Sequence, residues 1–211
     1  RLVQPMIPQW LEKKAIGKCM DFVKQRLNGE DGLGGIFPAM ANAVMAYDVL
    51  GYPRDHPDYV TARQAIEKLV VEREDEAYCQ PCLSPVWDTG LAMHAMQESG
   101  MVAGDAVLDK AAEWLVDRQI TDVVGDWAAR RPGLRPGGWA FQYWNDYYPD
   151  VDDTAVVVMA LHRADPVRYK DAINRGVEWI IGMQSENGGW GAFDAENEAY
   201  HLNHIPFADH G

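Results

Sequence analysis

The chain has few cysteines, few basic residues and no long apolar run, and each shortage excludes a class of protein. Three cysteines in 211 residues provide no disulfide framework and indicate a reducing compartment. With 19 basic against 32 acidic residues, the formal charge is −13, and nucleic acid is excluded as a partner because phosphate binding needs a basic face. No apolar run approaches the length that spans a bilayer.

The chain does have many aromatic residues and a length that suits a large domain. Its 211 residues can form one large core or two partial ones. Eight Trp and nine Tyr are many for this length and indicate a specific use. Because the chain begins at Arg1 rather than Met, we expect it to be an internal piece of a longer protein.

One short segment concentrates carboxyl groups beside an apolar run. Asp150, Asp152 and Asp153 stand immediately before the apolar residues 154–161. Crowding and desolvation both disfavour ionisation, so the pKa values of these carboxyl groups are expected to be raised. A carboxyl group that stays protonated next to a dry wall can protonate a weak base, even a carbon–carbon double bond.

The same segment is also typical of an ordinary helix start. Pro149 followed by Asp150, with Asp153 three residues later, resembles a helix N-cap with an acidic first turn. On this interpretation the carboxyl groups stabilise the helix and need not take part in any reaction.

The chain repeats itself at an offset of 65 residues. Residues 110–119 match residues 175–184, and Asp88–Leu91 matches Asp153–Val156. Each unit is predicted to be two helices, one apolar almost all round that opens at Asp88 or Asp153, and one amphipathic. Weaker copies begin near Lys14 and Arg63.

Helical hairpins with so long a period predict an all-α solenoid or a closed toroid. The apolar helices are expected to form the inner ring, and the helix ends and loops to line a central cavity. The repeat also separates the three carboxyl groups. Asp153 has the counterpart Asp88, which favours a capping role for it in part, whereas Asp150 aligns with Pro85 and Asp152 with Trp87. These two departures from the repeat are the better candidates for function.

Four strings together resemble one known family. They are Asp150–Ala155, the Gln184…Gly188-Gly189-Trp190 motif, Ser84–Gly90 and Asn203–Phe207. In this order they resemble the bacterial squalene–hopene cyclases, and the likeness runs from about Lys14 to Gly211. The resemblance implies Gln–Trp repeats in which Gln caps a helix end and Trp stacks against a neighbour, so that Trp114, Trp179 and Trp190 belong to the scaffold.

The resemblance implies an α/α toroid made of two double-ring helical barrels. Residues 1–82 are expected to end the non-catalytic barrel, and residues 83–211 to begin the catalytic one. It further implies squalene as substrate, a homodimer, and peripheral, monotopic attachment to the cytoplasmic side of the bacterial membrane. No metal and no redox cofactor are expected.

The resemblance also implies a role for particular residues. Asp152 is expected to donate the proton, with Asp150 and Asp153 as its acidic neighbours, and to be kept neutral by those neighbours and by burial. The proton goes to a terminal double bond of squalene, and aromatic faces stabilise the migrating cation by roughly 2 kcal/mol each. The product is hopene or hopanol. The residues expected to contact substrate are Trp87, Phe141, Phe193, Ile36, Pro38 and Cys82 in the cavity wall, and Phe207 and Ala208 at the channel constriction.

Other functions remain open on the sequence alone. Cys79 and Cys82 have the spacing of a redox or zinc pair, but no second pair of ligands follows at a suitable distance. A class II diterpene cyclase shares the Asp-x-Asp-Asp-Thr-Ala string, although the well-formed Gln–Trp repeat argues against it. A helical-toroid glycosidase would require polar groups around its carboxylates, and Val156–Val158 is a poor wall for a sugar. The isolated piece is expected to be an inactive, partial barrel.

Overall fold

The computed structural model describes residues 7–198, 200 and 204. It divides the chain into two compact units, residues 1–83 and residues 84–211, which are described separately. Among the described residues there are seven α-helices and two short antiparallel hairpins of strands. None of the described helices is long and apolar enough to cross a bilayer. The prediction of an all-α fold is confirmed.

The first unit contains three helices and both hairpins. The helices are α1 (Gln9–Arg26), α2 (Phe37–Val49) and α3 (Pro57–Glu67). Strands β1 (Leu27–Asn28) and β2 (Gly32–Leu33) pair with each other, as do β3 (Val70–Glu72) and β4 (Ala77–Cys79). The core between α2 and α3 is built from the buried residues Ala43, Tyr47, Tyr59 and Ala62.

The second unit is two consecutive helical hairpins. The first consists of α4 (Pro85–Glu98) and α5 (Ala106–Val116), and the second of α6 (Val151–Ala164) and α7 (Lys170–Gly182). The long connection between them includes a 3₁₀ turn at Asp126–Ala129. The two hairpins follow the predicted offset of 65 residues, which confirms the internal repeat.

The first helices of the two hairpins lie side by side and run in the same direction. His94 Nε2 lies 3.1 Å from the Val156 carbonyl oxygen, and Gln97 Nε2 donates to the Ala160 carbonyl oxygen at 3.0 Å. Both contacts join residues about one repeat apart, so each residue of α4 lies beside its repeat counterpart in α6. Small residues permit this packing, because a Cβ atom on Gly90 would lie 2.9 Å from Val156 Cγ1.

The main core lies where all four of these helices meet. Met93, Leu108, Leu115, Val157 and Leu161 are almost fully buried there. Met159, in contrast, is 59% exposed on another face of α6. The helix α6 is therefore buried on the side that faces its neighbours and open along one stripe.

Candidate active site

The helix α6 begins at Asp150, which is its N-cap. The backbone of Asp150 is extended (φ −119°, ψ 158°), and its Oδ1 accepts the Asp153 N–H at 2.7 Å. The Asp150 carbonyl oxygen also accepts the Thr154 hydroxyl at 2.6 Å. A cap of this kind satisfies a backbone donor that the helix itself leaves unpaired. The N-cap interpretation is thus confirmed for Asp150, and the capping role favoured for Asp153 is wrong, since Asp153 supplies the N–H that is capped.

Two of the three carboxyl groups are buried and the third is not. Asp150 is 4% exposed and Asp153 is 2% exposed, whereas Asp152 is exposed. The expectation that burial keeps Asp152 neutral is therefore wrong for this chain. Successive helical residues point about 100° apart, so the position after the buried Val151 turns Asp152 outward and the next turns Asp153 back towards the core.

The buried carboxyl groups have raised pKa values. For Asp153 the pKa is raised to about 9, chiefly by burial, then by its hydrogen bond to Asp150 and by the charges of Asp150, Asp152 and Asp88. For Asp150 the pKa is also raised, again chiefly by burial, while hydrogen bonds from Asp153 oppose the shift. Burial and the like charges nearby therefore favour the protonated form of a carboxyl group in this pair.

A fourth carboxyl group, on Asp88, belongs to the same electrostatic cluster. It lies in the first turn of α4, accepts the Ser84 hydroxyl at 2.8 Å and raises the pKa of Asp153. The sequence interpretation treated Asp88 only as a repeat counterpart. The signal for its second role was present, because neighbouring parallel hairpins bring repeat counterparts together.

The aromatic residues predicted to line the cavity differ in how the structure places them. Phe193 is 46% exposed and packs edge to face on Tyr148, with ring centroids 6.5 Å apart. Its neighbour Ala192 accepts the Val151 N–H at 2.9 Å, which brings this loop to the start of α6. Trp87 and Phe141 are both half-buried, the first in the opening turn of α4 and the second in the connection before Asp150.

The remaining predicted contacts belong to the first unit or lie outside the described residues. Ile36 and Cys82 form an isolated antiparallel bridge, and Phe37 N–H donates to the Pro81 carbonyl oxygen at 2.9 Å beside it. This contact places Ile36, Pro38 and Cys82 in one small region of that unit. Phe207 and Ala208 lie outside the described residues.

The cysteines and the acidic residues form no recognisable metal centre in the part of the chain that the structure describes. No group of three His, Cys, Asp or Glu side chains there is placed to hold a metal ion. Cys79 is exposed, Cys82 is half-buried, and both are free thiols.

The Gln–Trp motifs connect helix ends to neighbouring segments through side-chain hydrogen bonds of both residues. In both repeats the Trp indole donates to a carbonyl near the end of the outer helix, Trp139 to Leu115 at 2.6 Å and Trp190 to Ile180 at 2.8 Å. The Gln side chains also donate to carbonyl oxygens, Gln184 to Gly188 at 2.8 Å, and Gln119 to Gly137 at 2.8 Å and to Ala172 of α7 at 2.9 Å. Gln and Trp therefore both bond carbonyl oxygens in these motifs.

Helical hairpins in tandem, joined by hydrogen bonds from Gln and Trp and carrying a carboxyl cluster at one helix start, define an α-helical repeat protein. Comparison with known proteins is consistent with that class. Residues 1–75 match the family model of the squalene-hopene cyclase N-terminal domain, and residues 83–211 match that of the C-terminal domain. The chain belongs to the squalene-hopene cyclase family, whose fold is an α/α toroid.

Several curated relatives are similar over nearly the whole chain. The squalene–hopene cyclase of Zymomonas mobilis is 57% identical over 220 aligned residues, which cover 99% of this chain and 33% of the relative. The enzyme of the same name from Bradyrhizobium diazoefficiens is 53% identical, over 100% of this chain and 33% of the relative. That of Alicyclobacillus acidocaldarius is 48% identical, over 92% and 31%. The chain thus spans about one third of the length of these relatives.

Proposed function

We propose that the complete polypeptide containing this chain is a triterpene cyclase that converts squalene to hopene or hopanol by protonation-initiated cyclisation. The single observation that carries the proposal is the buried Asp150–Asp153 pair, whose pKa values are raised by burial, beside the exposed Asp152 and an apolar helix. The curated relatives named squalene–hopene cyclase support squalene as the substrate.

Asp152 is the proton donor in this proposal. It is the only one of the three carboxyl groups that is exposed, so it alone can contact a substrate in the cavity. Its charge raises the pKa values of both Asp150 and Asp153, which couples it electrostatically to the buried pair. The helix start favours the carboxylate that remains after transfer, which makes the cluster a stronger acid.

The aromatic side chains have the complementary role. A cation that migrates through the substrate needs stabilisation by groups that do not remove its protons, and aromatic faces provide this at roughly 2 kcal/mol each when desolvated. Phe193, Trp87 and Phe141 are proposed to act in this way, with Ile36, Pro38, Cys82, Phe207 and Ala208 as further contacts. Water must stay excluded until the last cation forms. At that point either a proton leaves or water adds.

The test uses the complete reading frame, incubated with squalene in detergent beside Asp152→Asn. Products are identified by gas chromatography–mass spectrometry. We expect pentacyclic triterpene from the parent and none from the variant. Equal turnover by both would move the donor to another carboxyl group, and no turnover of squalene by a folded parent would contradict the substrate assignment and favour a diterpene. The isolated 211-residue chain is expected to be inactive.

Membrane association is a second part of the proposal, and it depends on α1. This helix has no buried residue, Trp10 is 67% exposed and Leu11 is 45% exposed. A groove of about 640 Å³ between α1 and α2 is lined almost wholly by apolar side chains. An exposed apolar helix surface with neighbouring lysines is typical of a protein that lies on a bilayer without spanning it. We place the complete protein on the cytoplasmic side of the bacterial membrane.

Flotation with liposomes tests this placement. The double variant Trp10→Ser, Leu11→Ser of the complete protein should recover several-fold less protein with the vesicles, because interfacial binding scales with buried apolar area. Val167→Ser is the matched control, since Val167 is 82% exposed in a turn of the second unit. Equal flotation of the parent, the double variant and the control would show that α1 is not the membrane contact. The predicted homodimer is tested on the same preparations by analytical ultracentrifugation.

A further inference from the structure

The loop that follows α7 lies against the start of the acid-bearing helix. We call residues 185–198 the strap. Its Ala192 carbonyl oxygen accepts the Val151 N–H at 2.9 Å, which is one of the first-turn donors that a helix leaves unpaired. Its Phe193 ring packs on Tyr148, two residues before Asp150. The strap therefore covers the N-terminus of α6 at the point where the carboxyl cluster begins.

The far end of the strap is fixed by Glu196, which has an unusual backbone conformation. Its φ is 57°, the left-handed region that residues other than glycine rarely adopt. A conformation of this kind persists only where surrounding contacts determine it. Here the Glu196 N–H donates to Ser185 Oγ at 2.9 Å, and its carboxylate accepts the Glu186 N–H at 3.0 Å. These two bonds join the end of the strap to its beginning.

Arg131 connects Glu196 to the end of α7. Its Nη2 donates to Glu196 Oε1 at 2.6 Å and to the Gln184 carbonyl oxygen at 2.7 Å, while its Nε donates to the Gly182 carbonyl oxygen at 2.8 Å. The two side chains are only 24% and 22% exposed. The hydrogen bond from Arg131 also lowers the pKa of Glu196, which favours the carboxylate that accepts these bonds. One guanidinium thus holds a helix end and the strap together.

We propose that Glu196 and Arg131 are a positioning pair for the proton-donating cluster. They hold the left-handed backbone of Glu196 in place and so keep the two ends of the strap together. The Ala192 carbonyl oxygen then stays bonded to the Val151 N–H, which keeps the start of α6 ordered and shielded from water. Neither residue contacts the reacting atoms in this scheme. The inference rests on the proposed cyclase function for its kinetic consequences, and on the described contacts alone for its structural ones.

The kinetic test compares Glu196→Gln with Glu178→Gln in the complete protein. Glu178 also forms an ion pair, in which Arg135 Nε donates to Glu178 Oε1 at 2.9 Å, but it lies away from the strap and makes the matched control. In Glu196→Gln we expect kcat for squalene to fall roughly ten- to a hundredfold with little change in KM, since small displacements of catalytic groups are costly. A wetter cluster ionises more readily, so activity should be lost at a lower pH as pH rises. Glu196→Asp should restore part of the rate.

A structural measurement separates failure of this inference from failure of the proposed function. Hydrogen–deuterium exchange of the Val151 amide needs no substrate and should be faster in Glu196→Gln and in Arg131→Lys than in Glu178→Gln. Unchanged exchange and an unchanged pH profile in folded Glu196→Gln would overturn the positioning role, even with an active parent. If the parent fails to convert squalene while exchange at Val151 still rises in Glu196→Gln, the strap contact stands and the proposed reaction fails.

Discussion

At the scale of single residues, the carboxyl groups at the start of α6 differ because of where the helix begins. Asp150 is the N-cap, so Asp152 and Asp153 occupy the second and third helical positions and point in different directions. Burial of Asp153 raises its pKa to about 9, while Asp152 stays exposed. The cluster itself could be predicted from three carboxyl groups in four residues. Their division into buried and exposed members could not, because it depends on the phase of the helix relative to the core.

The raised pKa of Asp153 predicts a pH dependence of stability. Asp153 is protonated in the folded state up to about pH 9, but in the unfolded state only below its ordinary pKa of 3.8. Between these values the folded state binds the extra proton, so stability falls as pH rises and the contribution is lost above about pH 9. Asp153→Asn removes the titrating group. The Tm of the parent should therefore fall more between pH 5 and pH 9 than the Tm of Asp153→Asn, as measured by differential scanning fluorimetry of the complete protein. Parallel decreases in the two proteins would contradict the raised pKa.

At the scale of elements, indole hydrogen bonds tie the second helix of each hairpin to the segment that follows it. The repeat and its period were predictable from the matching Glu–Trp and Asp–Thr blocks, and both hairpins follow them. The hydrogen bond from each indole was not predictable, because it depends on the path of each loop back to the helix end. The strap was also not predictable, since its key contact with α6 is made by the backbone of Ala192 and leaves no pattern in the side chains.

The indole bonds predict different costs in the two repeats. Trp139 is fully buried and donates to Leu115, whereas Trp190 is 47% exposed when it donates to Ile180. Trp139→Phe removes this buried hydrogen bond, although the Leu115 carbonyl oxygen keeps the Arg118 N–H at 3.0 Å, and should cost about 0.5–1.5 kcal/mol. Trp190→Phe lets water replace the bond and should cost less. Chemical denaturation of both variants measures the difference, and a larger loss in Trp190→Phe would contradict this assignment of the bonds.

A second prediction at the scale of elements concerns the close packing of α6 on α7. A Cβ atom on Gly176 would lie 2.6 Å from Val158 Cγ2 and 2.9 Å from Trp139 Cζ3, whereas a Cβ atom on Gly17 in α1 meets nothing within 4 Å. Gly176→Ala should therefore destabilise the protein by about 1–3 kcal/mol through overpacking. Gly17→Ala should be neutral or stabilise by up to about 1 kcal/mol, since alanine favours the helix. Thermal unfolding of the two variants decides whether the helices approach as closely as described, and equal Tm values would contradict it.

At the scale of the whole molecule, the chain carries the carboxyl cluster but spans only about one third of the length of its relatives. The family and its toroidal fold could be identified from four strings in order. The assignment of residues 1–82 and 83–211 to two barrels stays a prediction. An acid site of this kind needs a closed apolar cavity to exclude water, and the remainder of the polypeptide is proposed to complete it.

The most direct test of the proposed reaction follows the proton itself. The complete protein is incubated with squalene in D₂O, and the products are analysed by mass spectrometry beside those of Asp152→Asn. Protonation by the cluster should place a single deuterium at a carbon of the pentacyclic product of the parent, because the cluster exchanges with solvent before it donates. Asp152→Asn should give no such product. Pentacyclic product from the parent without carbon-bound deuterium, or labelled product in equal amount from Asp152→Asn, would contradict Asp152 as the proton donor.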